Sequence, residues 1–406
     1  MSVSTSTGGD LLTAERVDDP YPYFRRLRAE DPVHWSEAHH AWMLLRHDDV
    51  TQAFRDARLS ADRVNTFVNE KVAAEDRGSF DAIVRLLGNW MVFKDPPDHG
   101  RLRRLVHMAF TTRIVERSRS QIVEAVDGLV DELERRGASD FVSDFAAPLP
   151  AIVIARMLGV PPEDHERFRE WSNEVMNLVF GASGDADRHG RATRGLLALE
   201  GYFRDLLDRR RRAPTEDLLT ALSVAEEKGD VLTADEVIST CILLLFAGHE
   251  TTTNLLANGF LALYRNPAER EKLARHPELA ASAVEELLRY DGPSKVMVRY
   301  VSEDHELRGR RIRRGQRVFL VQAAANRDPA RFPDAERLDV ARGDNDHLAF
   351  GYGIHFCLGA PLARLEGQLT FPRLLQRLPG LRVTAEHPEW HPTIVSRGLK
   401  SLPVSA

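Results

Sequence analysis

Cysteine is nearly missing from this sequence: Cys241 and Cys357 are the only two in 406 residues. That excludes a disulfide framework and points to a reducing compartment, the cytoplasm. A strong excess of one charge is missing too. A net charge of −6 with 29% charged residues gives no global field that would favour nucleic acid or an anionic membrane, so any basic docking site must be local. The opening MSVSTSTGGDLL lacks the basic and apolar segments of a signal peptide and reads as a disordered tail over residues 1–12. Repeats, low-complexity linkers and an interdomain seam are absent as well. What is present is 43% hydrophobic residues, enough for a sizeable core, and the expected arrangement is one compact domain over residues 1–406.

The hydrophobic spacing predicts a mainly α fold with a minor β portion. A short helix begins at Pro20, and VHW and AWMLL flank a turn at Glu37 to His40 as a hairpin. Asp48 or Asp49 is the expected cap of the next helix. Residues 59–93 read as partly irregular, a candidate substrate lid. Helices are predicted over 114–134, 141–158, 162–180, 191–212 and 234–264, with a hinge at 181–190, and then over 267–276 and 278–290. Alternation in VMVRYV and RVFLV predicts a small sheet over 296–320, an irregular stretch follows at 326–346, and short strands close the chain over 381–384 and 394–404. The apolar run Ile238 to Tyr264 raises the question of a membrane span. His249 and Glu250 at its centre argue for a buried helix instead, because a charge in hydrocarbon costs several kcal/mol.

One stretch stands out, Phe350 to Glu366, FGYGIHFCLGAPLARLE. Gly351 and Gly353 allow a sharp turn, helical spacing starts after Cys357, and Pro361 suits a first turn. A cysteine at a helix start favours the thiolate, the form that binds metal or attacks an electrophile. Gly359 leaves room for something flat. Elsewhere, Ala247-Gly248-His249-Glu250-Thr251-Thr252 sets an acid and hydroxyls in the long apolar helix, and the Thr251 hydroxyl can turn onto the Ala247 carbonyl one turn back. Glu286 and Arg289 stand one turn apart, as do His99 and Arg103, which together suit a carboxylate or phosphate. Taken singly, each of these pairs is as well explained by helix packing or a solvated face.

Their joint order and spacing resemble the cytochrome P450 family of haem-thiolate monooxygenases, in the style of its soluble actinobacterial members. The resemblance extends from PYPYFRRLR to RGLKSLPV. It implies a long central helix over haem b, with the cysteine loop on the opposite face. Cys357 is then the axial iron ligand, which promotes O–O cleavage. His99, Arg103, Arg299 and His355 match propionate-binding positions, and Ala247, Phe350 and Gly359 match other haem contacts. Glu250 and Thr251 match the acid and alcohol that deliver protons during oxygen activation. Glu286, Arg289 and Arg337 match a buried ion-pair triad with a folding role. Pro372 departs from the pattern, since it must kink or end the helix after the cysteine. His249 and Cys241 are expected to be packing residues.

The resemblance further implies a hydrophobic or amphipathic substrate, met by the lid, the region near Phe180 to Gly190, Leu244, Ala247, residues 294–298 and Val395. Lys295 there is read as solvated rather than as a carboxylate receptor. The chain has no flavin or nicotinamide domain, so electrons from NAD(P)H are expected through an external ferredoxin reductase and ferredoxin, with Arg101, Arg104 and Arg113 as a local basic patch. A monomer without nucleic-acid or membrane partners is expected, with a place in secondary metabolism. The alternatives are a peroxygenase driven by hydrogen peroxide, which the Glu250–Thr251 pair disfavours, a catalytically silent haem-binding partner protein, and a cysteine hydrolase using Cys357 with His355. The last lacks an orienting third group.

Overall fold

The computed structural model of the chain describes every residue except 1–9, 73–77, 79, 165–166, 169, 173, 176–186 and 228. It is mainly helical with minor sheets, as the spacing predicts. Contacts gather the chain into two compact units, each built from separated stretches. The first comprises 1–61, 254–357 and 381–405, and the second 62–253, 358–380 and residue 406.

In the first unit the segments flanking the turn form the predicted hairpin, Val33–Ser36 with Ala41–Leu44, and Trp35 and Trp42 face each other with ring centroids 5.3 Å apart. His40 takes a φ of 45° to close the turn. Five strands then pair in the order Val33–Ser36, Ala41–Leu44, Arg317–Leu320, Met297–Val301, Leu59–Ser60. Arg317–Leu320 runs parallel to Ala41–Leu44 and antiparallel to Met297–Val301. The apolar face of the helix Tyr21–Glu30 joins this sheet through Phe24 and Leu27, in a core that also takes Met43, Phe319 and Leu11. Leu11 corrects part of the expected tail, for it is 1% exposed and its N–H donates to His39 Nε2 at 2.8 Å.

Asp48 and Asp49 lie in the first turn of the helix His47–Arg55 and do not cap it, the cap position being Arg46. Asp49 is instead buried and accepts from Arg308 Nε at 2.8 Å. The stretch 326–346 is irregular, as expected. The closing strands are shorter than expected, Arg382–Val383 with Pro403–Ser405.

The second unit is helical. The helix expected over 114–134 is split at Ser118 into Thr112–Arg117 and Arg119–Arg136, where the Ser118 hydroxyl donates to the Ile114 carbonyl. The next expected helix divides into a wide turn, Val142–Ala146, and the helix Pro148–Met157, which prolines open. Arg188–Arg212 and Ala234–Arg265 form as predicted. The described part of the 59–93 region holds helices Arg63–Lys71 and Asp81–Leu87. Residues 181–186 of the expected hinge, and much of the expected helix 162–180, lie outside the described residues. The helix Ala360–Arg377 continues past Pro372 and does not end there. Among the described residues no helix is long and apolar enough to cross a membrane.

Candidate functional site

The predicted site residues divide between the units. Arg299, Phe350, His355 and Cys357 belong to the first, and His99, Arg103, Ala247, Glu250, Thr251 and Gly359 to the second.

In the first unit the glycines do what their spacing suggests. Gly351 and Gly353 stand at φ 70° and 69°, and a Cβ on Gly353 would meet the Phe54 carbonyl oxygen at 3.2 Å. A short turn, Gly353–His355, follows, and the Cys357 N–H donates to the Phe350 carbonyl at 2.9 Å. The backbone around a half-buried cysteine is thereby fixed from both sides. The helix after it begins at Ala360, with Gly359 at the cap position and Pro361 in its first turn. Arg299 sits on the strand Met297–Val301 at 4% exposure, its guanidinium 5.8 Å from the Phe54 ring. Phe54 is therefore the neighbour shared by Arg299 and the cysteine turn. It escaped the sequence reading because its one visible trait is that of an apolar residue at a helix end.

In the second unit, His99 and Arg103 lie one turn apart on the helix Asp98–Ala109, His99 buried and Arg103 half-buried. The long helix Ala234–Arg265 is buried at every position from Val237 to Phe246 and from Thr252 to Leu263, but between them Ala247 is exposed and Gly248, Glu250 and Thr251 are half-buried. The Thr251 hydroxyl donates to the Ala247 carbonyl at 2.7 Å, as the spacing predicts, and Thr253 does the same to His249 at 3.0 Å. Packing does not demand Gly248, since an added Cβ would make only ordinary contact with Ile154, at 3.5 Å. His249 and Cys241 are core residues, and burial pushes the Cys241 thiol up.

One functional candidate was missed. Glu366 is fully buried on the helix Ala360–Arg377, and burial pushes its carboxyl up to about 8 against a hydrogen bond from the Thr252 hydroxyl. It is the last residue of the FGYGIHFCLGAPLARLE stretch, and an acid among apolar positions of a helix was the available signal.

Three expectations are corrected. The buried ion-pair cluster contains Glu286 and Arg289, joined by bonds of 2.7 and 2.8 Å, but its third side chain is Arg342, whose Nε donates to Glu286 at 3.0 Å. Arg337 supplies only its carbonyl to Arg289, and its side chain turns out to Asp339. The basic patch is largely spent: Arg101 pairs with Asp230 and Glu236, and Arg104 with Glu227. Lys295 is not solvated. It is 3% exposed, donates to the Thr393 carbonyl at 2.5 Å, and burial pulls its pKa down to about 7.

The family model described as Cytochrome P450 matches residues 199–389. The polyketide biosynthesis cytochrome P450 PksS of Bacillus subtilis (strain 168) is 40% identical over 400 residues, covering 95% of this chain and 96% of that protein. The vitamin D(3) 25-hydroxylase of Pseudonocardia autotrophica is 40% identical over 410 residues, covering 99% and 98%. Among solved structures, P450BioI in complex with a hexadec-9Z-enoic acid ligated acyl carrier protein is similar with a TM-score of 0.89 at 35% identity, covering 97% of this chain and 99% of that one. The chain belongs to the cytochrome P450 family, and it is an enzyme of the monooxygenase type.

The family implies haem, and the residues present fit it. A carboxylate taken into a protein needs cationic or N–H partners, and the buried Arg299 and His99, with half-buried His355 and Arg103, are groups of that kind. Among the described residues no three His, Cys, Asp or Glu side chains gather as a metal site. One thiolate beside a porphyrin's own nitrogens suits that donor set.

Proposed function

We propose that the protein is a haem-dependent monooxygenase that inserts one oxygen atom of O2 into a hydrophobic or amphipathic organic substrate, by hydroxylation or epoxidation in cytoplasmic secondary metabolism. Electrons come from NAD(P)H through an external ferredoxin reductase and ferredoxin. The observation that carries the reading is the cysteine turn, whose two left-handed glycines and Cys357–Phe350 hydrogen bond hold a thiol in one backbone setting.

When bound, haem b supplies the iron at which dioxygen is reduced. Cys357 gives the thiolate ligand. His99, Arg103, Arg299 and His355 offset the propionate charges, while Ala247, Phe350 and Gly359 offer small or flat surfaces. The Thr251 hydroxyl spends its hydrogen on Ala247, which leaves its lone pairs to accept from a water or a substrate group beside that exposed alanine. Glu250, half-buried one residue earlier, holds and passes the proton between that point and solvent. Relatives named for polyketide biosynthesis and vitamin D(3), and one structure with a carrier-bound fatty acid, favour a large apolar substrate. The deciding variant is Cys357→Ser. Loss of the red-shifted carbon-monoxide band of the reduced protein is expected, and survival of that band would assign the ligand elsewhere.

A further inference from the structure

We propose that a cleft of about 990 Å3 in the first unit, lined by the helix Tyr21–Glu30 and by residues 327–337, binds a small, multiply charged anion bearing phosphate or carboxylate groups. Four arginines line it, Arg25, Arg28, Arg327 and Arg337, against two carboxylates, Asp334 and Glu336. How these charges are already spent decides what the cleft attracts.

Arg327 is largely committed. It pairs with Glu336 at 2.8 Å, donates twice to the Tyr290 carbonyl and lies 3.5 Å over the Tyr21 ring, so it and Glu336 form a neutral wall. Arg337 is only loosely held, by a surface contact of 3.3 Å with Asp339. Arg28 is the unusual member. It is 6% exposed, yet among the described residues only one of the five N–H donors of its guanidinium makes a hydrogen bond, to the Ala324 carbonyl at 2.7 Å. Asp328 stands 3.9 Å from its Nε, near enough for attraction and too far for a hydrogen bond.

Burial pulls the Arg28 pKa down more than Asp328 and Glu336 restore it, and Arg25 and Arg327 add repulsion. Arg25 and Arg28 are i and i+3 on one helix, where like charges oppose each other. Arg25 is exposed and forms no hydrogen bond or ion pair among the described residues. Two adjacent guanidiniums with unused donors thus meet one leftover carboxylate, Asp334. An anion bridging Arg25 and Arg28 would satisfy the buried donors and remove the repulsion, and forked guanidiniums match phosphate and carboxylate oxygens in pairs. The volume is that of an organic ligand rather than a lone ion, and the cleft opens widely to solvent.

The test is calorimetric titration of the intact holoprotein with pyrophosphate and, separately, citrate, with sodium chloride matching the ionic strength. Saturable binding of either probe is expected, and which of them binds assigns phosphate or carboxylate as the recognised group. Arg25→Glu and Arg28→Gln should weaken that binding by roughly tenfold or more, while Arg26→Glu, on the same helix but outside the cleft, leaves it unchanged. Because Arg28→Gln risks unfolding the helix contact, the exposed Arg25→Glu variant decides alone if needed. No saturable heat, an equal response to sodium chloride, or binding unaltered by Arg25→Glu would overturn the assignment.

Discussion

Thr252 on the long helix acts on the buried Glu366 carboxyl of the helix that follows the cysteine, both in the second unit, its hydroxyl favouring the ionised form against burial. Glu366 is fully buried, and its Oε1 has no hydrogen-bond partner among the described residues. A carboxylate there would be poorly solvated, which is why the carboxyl keeps its proton up to about pH 8.

That burial fixes a pH dependence. Below 4.5 the folded and unfolded chains both carry the proton; as pH rises towards 8 the unfolded chain ionises while the folded one does not, so stability falls across that window. The cost reaches about 3 kcal/mol by pH 7. Glu366→Gln should flatten the slope and raise the denaturation midpoint at pH 7. An unchanged slope in chemical denaturation series would remove Glu366 as its source.

Lys295 gives the opposite slope. Its folded pKa is lowered from 10.5 to about 7, so its stability contribution is present above 10.5 and lost as pH falls through 7. Lys295→Met should abolish the rise in stability between those values. Denaturation at pH 7 and pH 10 compares the two proteins directly, and the variant is expected to gain at the lower pH.

The ion-pair cluster distinguishes two arginines that the sequence does not. Arg342→Ala removes a hydrogen bond to the buried Glu286 carboxylate and should cost about 2 kcal/mol in urea unfolding. Arg337→Ala removes only a surface pair and should stay within about 0.5 kcal/mol of the parent.

Thr251→Ala is expected to keep the fold, with a loss of about 1 kcal/mol for one hydrogen bond. Substrate-driven NAD(P)H oxidation should continue while product per NAD(P)H drops severalfold and hydrogen peroxide appears. Full coupling of product to NAD(P)H in this variant would take proton delivery away from Thr251.

Much of this was legible because backbone rules are local. Two glycines before a cysteine announce a left-handed turn, and a threonine four residues after Ala247 announces its back-bond. The hairpin at Glu37 to His40 followed from two short β-prone segments flanking a turn. What failed was tertiary. Arg337 and Arg342 both follow Glu286 in plausible places, and only the path of the irregular 326–346 segment decides which side chain turns inward. Arg101 and Arg104 looked like free cations because their acidic partners lie more than a hundred residues away in sequence. Lys295 looked solvated because lysine usually is, and the carbonyl that holds it belongs to Thr393.

The parallel pairing of Arg317–Leu320 with Ala41–Leu44 also sets an order of assembly. Nearly the whole second unit is synthesised between those two strands. The hairpin that emerges first must wait with an open edge until its partner arrives, and such long-range parallel pairing is slow and exposed to aggregation. The helices of residues 98–253 can gather during that wait. The cysteine turn, which needs Phe54 from the early segment and Phe350 from the late one, is completed near the end of synthesis, so truncation anywhere before it yields a chain without the Cys357 thiolate.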